Sequence, residues 1–265
     1  MKKVVLQFLI FILVFLAGWG LFSLIDWKGV INWEERSERI EEKLGSVIWQ
    51  AIQQQETVVD DEEILGPVDT LLTRIALENE ISREDIQLHI IRKDEVNAFA
   101  LPDGHIGVFT GMIREAENEA ELAGVLAHEL AHFDQNHVMD KLTREIGMSV
   151  LVSIATGDAG GETIASVIQM LTSSAFSRSM EEEADEFAVR YMLEARINPE
   201  PFSDLMYRLS DKQQDMPEQF RWFSTHPDPE SRAIAIVEHI PEEQPEYENI
   251  LDQDVWEDLQ DKVTD

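Results

Sequence analysis

The most constraining feature of the chain is a five-residue run, His128-Glu-Leu-Ala-His132, set in a stretch that reads as one buried helix. Asn118 opens that helix, and Glu121 follows three residues on, as in a capping box. Ala120, Leu122, Ala123, Val125, Leu126, Ala127 and Leu130 leave it almost no polar face, so it must run through the interior. Two histidines and a glutamate on such a helix need partners, because a polar group without one is costly to bury. Residues i and i+4 share a helical face, so His128 and His132 can reach one metal ion. Glu129, offset by one residue, stands beside that ion, where it can take a proton from a zinc-activated water. The same pattern arises by chance in ordinary helices; the small apolar flanks, as for a helix under a cleft, favour the metal here.

The third ligand separates the classes of such sites. A metzincin would need glycine at 135 and histidine at 138, and the chain has Gln135 and Val138. His137 is five residues past His132, rotated off the ligand face, and reads as a packing or hydrogen-bonding residue. A second helix must supply the ligand. Arg178-Ser-Met-Glu181-Glu-Glu-Ala-Asp185 is the best source: Glu181 and Asp185 face the same way, so Glu181 can bind zinc while Asp185 holds the second ring nitrogen of a ligand histidine. Glu182 and Glu183 remain alternatives to Glu181 within the run, and a merely solvated charge run is the competing explanation.

Composition narrows the function classes. The chain has 265 residues, 53 acidic against 21 basic, for a net charge of −32, which argues against a nucleic-acid partner. There is no cysteine, so disulfides, thiol catalysis and cysteine-bound metals are excluded. Lys2 and Lys3 precede an uncharged, mostly apolar run from Val4 to Ile25, and Asp26, Glu34 and Glu35 follow it. About 20 apolar residues suffice to cross a bilayer, and the charge bias keeps the N-terminus cytoplasmic and the remainder extracytoplasmic, on a periplasmic or extracellular face. A cleaved signal peptide is the alternative, for which only the weak Gly18-x-Gly20 pair could serve as the site. One span is too few for a channel or transport subunit.

Periodicity divides the rest into a membrane anchor (1–25), a juxtamembrane helix and linker (26–60), a catalytic domain (61–240) and an acidic tail (241–265). Glu34 to Gln55 reads as a one-sided helix, Thr57 to Glu63 as a loop, and Pro67 to Glu80 as a second amphipathic helix with Pro67 in its first turn. Ile86 to Ile90 alternates like a strand, with His89 expected at the surface; Asn97 to Thr110 suggests two short strands around a Pro-Asp-Gly turn, with His105 structural. Two apolar helical stretches flank Gly157–Gly161 within 141–176, and helices follow near 179–195 and 200–212. His239 reads as a surface residue. The tail holds ten acidic residues and one lysine and is expected to be solvated, with a short helix around Trp256 and Leu259.

Three segments, Asn97-Ala-Phe-Ala-Leu-Pro-Asp-Gly104, Val125-Leu-Ala-His-Glu-Leu-Ala-His132 and Ser177-Arg-Ser-Met-Glu-Glu-Glu-Ala-Asp185, with a fourth, His226-Pro-Asp-Pro-Glu-Ser-Arg232, together resemble the HtpX, Oma and CAAX-prenyl-protease family of gluzincin zinc metallopeptidases. The resemblance implies an α+β domain, mostly helical, with a short β-sheet edging the active-site cleft, and one Zn2+ per chain held by His128, His132 and Glu181. It implies that Asn97, Ala98, Phe99 and Ala100 form a strand that pairs with extended substrate, and that His226 and Arg232 lie over the cleft near the scissile carbonyl. His226 could donate to the oxyanion, or approach the zinc in a resting state. The single span departs from HtpX and the prenyl proteases, so unfolded or misfolded envelope proteins are expected as substrates rather than prenylated ones. A catalytically silent, membrane-tethered zinc-binding interaction protein is the alternative, and the intact Glu129 argues against it.

Overall fold

The computed structural model describes residues 33–212 and 222–264. The chain divides into two units, 1–40 and 41–265, and of the first only the opening turns of α1 (Trp33–Gln53) are described. The expected span at Val4–Ile25 lies outside the described residues. Among the described residues no helix is long and apolar enough to cross a membrane.

The architecture is mostly helical with one small sheet. A four-stranded sheet has the order β1-β2-β4-β3, from β1 (Val58–Val59), β2 (Gln87–Ile91), β3 (Ala98–Ala100) and β4 (His105–Phe109). β1 pairs antiparallel with β2, β2 parallel with β4, and β3 antiparallel with β4. The β3–β4 turn requires left-handed backbone at Asp103 (φ 62°) and Gly104 (φ 67°), and a Cβ on Gly104 would lie 1.9 Å from the Asp85 carbonyl oxygen. Only glycine meets both conditions there.

α2 (Glu62–Glu78) begins earlier than the expected start at Pro67. Asp61 caps it by accepting from the Glu63 N–H, and Glu62 and Glu63 suit the positive end of the helix, so the cap fixes the start and Pro67 is tolerated inside. Val58–Val59, expected within a loop, forms the short strand β1. α3 (Thr110–Glu115) leads into α4 (Glu119–Asp134), which is buried from Glu121 to His132. Asn118 caps α4 through the Glu121 N–H, while the Glu121 carboxylate accepts from the Glu117 N–H.

Around α4 pack α2, β3, α8 (Arg178–Glu194) and α9 (Glu200–Lys212). Ala123, Ala127 and Ala131 on α4, with Ala184 and Ala188 on α8, are buried in this core. Small side chains let the two backbones approach, which brings α8 carboxylates within reach of α4 histidines. Gly124 does the same for α9, since a Cβ there would meet the Phe202 ring at 2.3 Å. α5 (His137–Glu145), α6 (Met148–Thr156) and α7 (Gly161–Ser173) connect α4 to α8. After α10 (Trp222–Thr225), α11 (Pro229–His239) packs on α8 and α9. The acidic C-terminal stretch forms its expected helix, α12 (Gln253–Thr264), but this is docked: Leu259 and Val263 are buried against α2 and α3. Two backbone N–H groups, of Ile250 and Leu251, donate to the Glu119 carboxylate and tie the approach to α12 down.

Candidate metal centre

Four side chains from three elements converge at one buried point. The ligand atoms of His128, His132, Glu181 and His226 lie within 4.8 Å of one another, and all four residues are buried. His128 Nε2 and His132 Nε2 are 3.1 Å apart, and each is 3.6 Å from a Glu181 oxygen. His226 Nδ1 lies 3.0 Å from Glu181 Oε1 and 3.2 Å from His128 Nε2.

The outer nitrogens of the α4 histidines are held from behind. His128 Nδ1 is 3.1 Å from Asp185 Oδ1, so it donates its proton there and turns the lone pair of Nε2 inward. His132 Nδ1 is 3.1 Å from His137 Nδ1, and His137 Nε2 reaches Glu183 at 3.3 Å, a hydrogen-bonding part for His137 as its position suggested. Convergent Nε2 atoms, an ionised carboxylate and restrained second nitrogens are the donor set that a metal such as zinc takes, so these residues fit the ion. Burial and the neighbouring imidazoles keep the His132 ring neutral, with its pKa well below the ordinary range.

Arg232 is buried against this cluster and also lines a pocket with Arg178, Glu181, Asp185 and Asp228. Its Nε and Nη2 donate to Asp185 at 2.7 Å each, and Nη1 stands 2.8 Å from Glu181 Oε2, an ion pair without hydrogen-bond alignment. Burial would raise the Asp185 pKa, but Arg232 and His128 outweigh it and hold the carboxylate well below its usual range. For Glu181 the same contest is won by His226 and Arg232, and its pKa is also lowered.

Glu129 is fully buried, with Oε1 3.1 Å from the Trp222 indole nitrogen and 3.3 Å from His226 Nε2. Among the described residues Oε2 has no hydrogen-bond partner. His226, between Glu129 and Glu181, would be neutralised by burial, yet the two carboxylates raise its pKa to about 9. Phe176 stacks on His132 at 4.0 Å, and its N–H donates to the Thr225 carbonyl. Lys141 Nζ lies over the Phe176 ring, 4.1 Å from its centroid, and burial lowers its pKa to about 8. Trp222, Phe176 and Lys141 escaped the sequence reading, and each acts through contacts far along the chain.

The Asn97–Ala100 segment includes the edge strand β3, which packs on α4. Asn97 is buried, and neither polar atom of its side chain has a partner. A pocket beside it is lined by Ile91, Asn97, Phe99, Phe109, Ile168 and Thr172 among others. The two histidines of the sheet form a separate cluster. His89 is half-buried, not at the surface as expected: its ring stacks on Trp49 at 3.6 Å and its Nε2 is 2.8 Å from His105 Nδ1. The stack from α1 covers what strand alternation alone would leave exposed.

Residues 66–240 match peptidase family M48. The chain belongs to that family. Among curated M48 relatives, the mitochondrial metalloendopeptidase OMA1 of Schizosaccharomyces pombe is 34% identical over 179 residues, covering 67% of this chain and 53% of that protein. The putative beta-barrel assembly-enhancing protease of Vibrio cholerae is 28% identical over 202 residues, 71% of this chain and 41% of the relative. That of Escherichia coli K12 is 26% identical over 189 residues, 66% of this chain and 38% of the relative. The match thus spans about half, or less, of the length of these relatives.

Proposed function

We propose that this chain is a zinc metalloendopeptidase, with one Zn2+ held by His128, His132 and Glu181 and with Glu129 as general base. The observation that carries the reading is the buried convergence of His128 Nε2, His132 Nε2 and Glu181 beside a Glu129 whose Oε2 has no other partner. Zinc, when bound, would polarise the scissile carbonyl and make water acidic enough to attack near neutral pH. Glu129 takes the proton of the attacking water on Oε2 and passes it to the leaving amine. Asp185 fixes the His128 tautomer, and Arg232 keeps Asp185 and Glu181 ionised and in place. The outer edge of β3, from Asn97 through Ala98, Phe99 and Ala100, would receive an extended substrate by backbone pairing, which suits unfolded chains of little sequence preference.

His226 has two possible uses, oxyanion donor or resting-state ligand. Its burial, with Nδ1 3.0 Å from Glu181 and 3.2 Å from His128 Nε2, favours the second. His226 would then join His128, His132 and Glu181 in holding the ion in the resting state.

The test is zinc quantification together with hydrolysis of an unfolded protein. Wild type should hold one zinc and lose activity to a chelator; Glu129→Gln should keep the zinc and lose about 10²- to 10⁴-fold in kcat, the range for a general base. An active enzyme free of metal would overturn the proposal. Undiminished zinc in Glu181→Ala would move the third ligand to Glu182 or Glu183.

Residues 4–25 would anchor the chain, with the peptidase domain (61–240) outside the cytoplasm and envelope proteins as substrates. The names of the relatives, mitochondrial or beta-barrel assembly-enhancing, are compatible with work at a membrane. Added protease should reach the domain from the outer side; full protection there would refute the topology.

A further inference from the structure

Glu129 offers its two carboxylate oxygens unequally. Among the described residues Oε2 has no hydrogen-bond partner, whereas Oε1 accepts from the Trp222 indole N–H at 3.1 Å and lies 3.3 Å from His226 Nε2. Both residues are fully buried, so water does not compete for this bond. The backbone of Trp222 is fixed as well. Its N–H donates to the Val96 carbonyl at 3.1 Å, and its own carbonyl accepts from the His226 N–H at 2.8 Å.

Val96 belongs to the row of groups on the outer edge of β3. Asn97 O accepts from Phe109 N, and Leu101 N donates to His105 O, so odd positions bond inward to β4. By strand alternation Val96, Ala98 and Ala100 turn their backbone groups outward. The Trp222 N–H takes the first of these, and Ala98 is the next along the edge. One residue therefore touches both the row that would align a substrate and the carboxylate that would act on it.

We infer that Trp222 is a positioning residue: its indole N–H holds Oε1 of Glu129 so that Oε2 faces the reacting water in register with a peptide on β3. The inference rests on Glu129 being the general base. A carboxylate pinned at one oxygen loses its freedom to rotate, and small errors in the placement of a base reduce turnover without altering how substrate binds.

The experiment uses the full-length, zinc-loaded chain in detergent and an unfolded protein substrate. Two replacements at position 222 remove the N–H: Trp222→Phe, and site-specific benzothienylalanine, which keeps the shape of the indole. Both should lower kcat about tenfold, the scale of one hydrogen bond, with KM within about twofold and one zinc per chain retained. Wild-type kcat in the benzothienylalanine protein would overturn the inference, whatever the folding of Trp222→Phe. A rise in activity would also overturn it and make the residue a lock on the resting site. Glu129→Gln is measured alongside. If it turns over like wild type, the reading of the base has failed; if it is inactive while both 222 variants are normal, only the positioning role has.

Discussion

His226 illustrates how one residue can be set to two tasks by its neighbours. Burial alone would strip its proton, yet beside Glu181 and Glu129 its pKa is raised to about 9; to ligate an ion through Nδ1, which lies 3.0 Å from Glu181 Oε1, the ring would have to give that proton up. As a resting-state ligand, a histidine held this way would help to hold the ion and would have to leave it for substrate. His226→Ala should therefore fold, keep its zinc and cleave an unfolded protein faster than wild type. A fall of about 10²-fold in kcat would instead assign it to the oxyanion. Helical spacing put His128 with His132, and Glu181 with Asp185, on common faces, while the choice of Glu181 over Glu182 and Glu183 leaned on the family resemblance. The partnership of Trp222 with Glu129 spans 93 positions, and no local pattern encodes it.

Among the elements, α1 and the sheet meet through a stack of Trp49, His89 and His105. Burial lowers the His89 pKa to about 3, with His105 adding to the effect, and burial lowers that of His105 to about 4. Both lie below the value of about 6.5 expected in an unfolded chain. The unfolded state thus binds more protons as pH drops, so stability is full above about 6.5 and declines as pH falls towards 4. The urea midpoint should decrease between pH 7 and pH 4.5, and a His89→Gln/His105→Gln double variant should lose less over that interval. An equal decrease would assign the acid sensitivity to other groups. Alternation predicted β2 to within one residue, but it could not foresee that α1 would cover the polar face of that strand. Likewise Pro67 pointed to a helix without revealing the Asp61 cap that starts it at Glu62.

At the scale of the molecule, acidic composition suggested a solvated tail because 241–265 is rich in charge. A few apolar positions decide otherwise: Leu259 and Val263 are spaced by four, share a face and bury against α2 and α3, and Leu251 ahead of them is buried too. Leu259→Ala should lower stability by about 2–5 kcal/mol, the range for a buried leucine, as read by chemical unfolding. A change below about 0.5 kcal/mol would mean the helix contributes nothing to the fold. Such a closure has a consequence for biogenesis. α2 cannot complete its packing until residues near 260 have been synthesised, so a nascent chain paused before that point would expose the bare flank of α2.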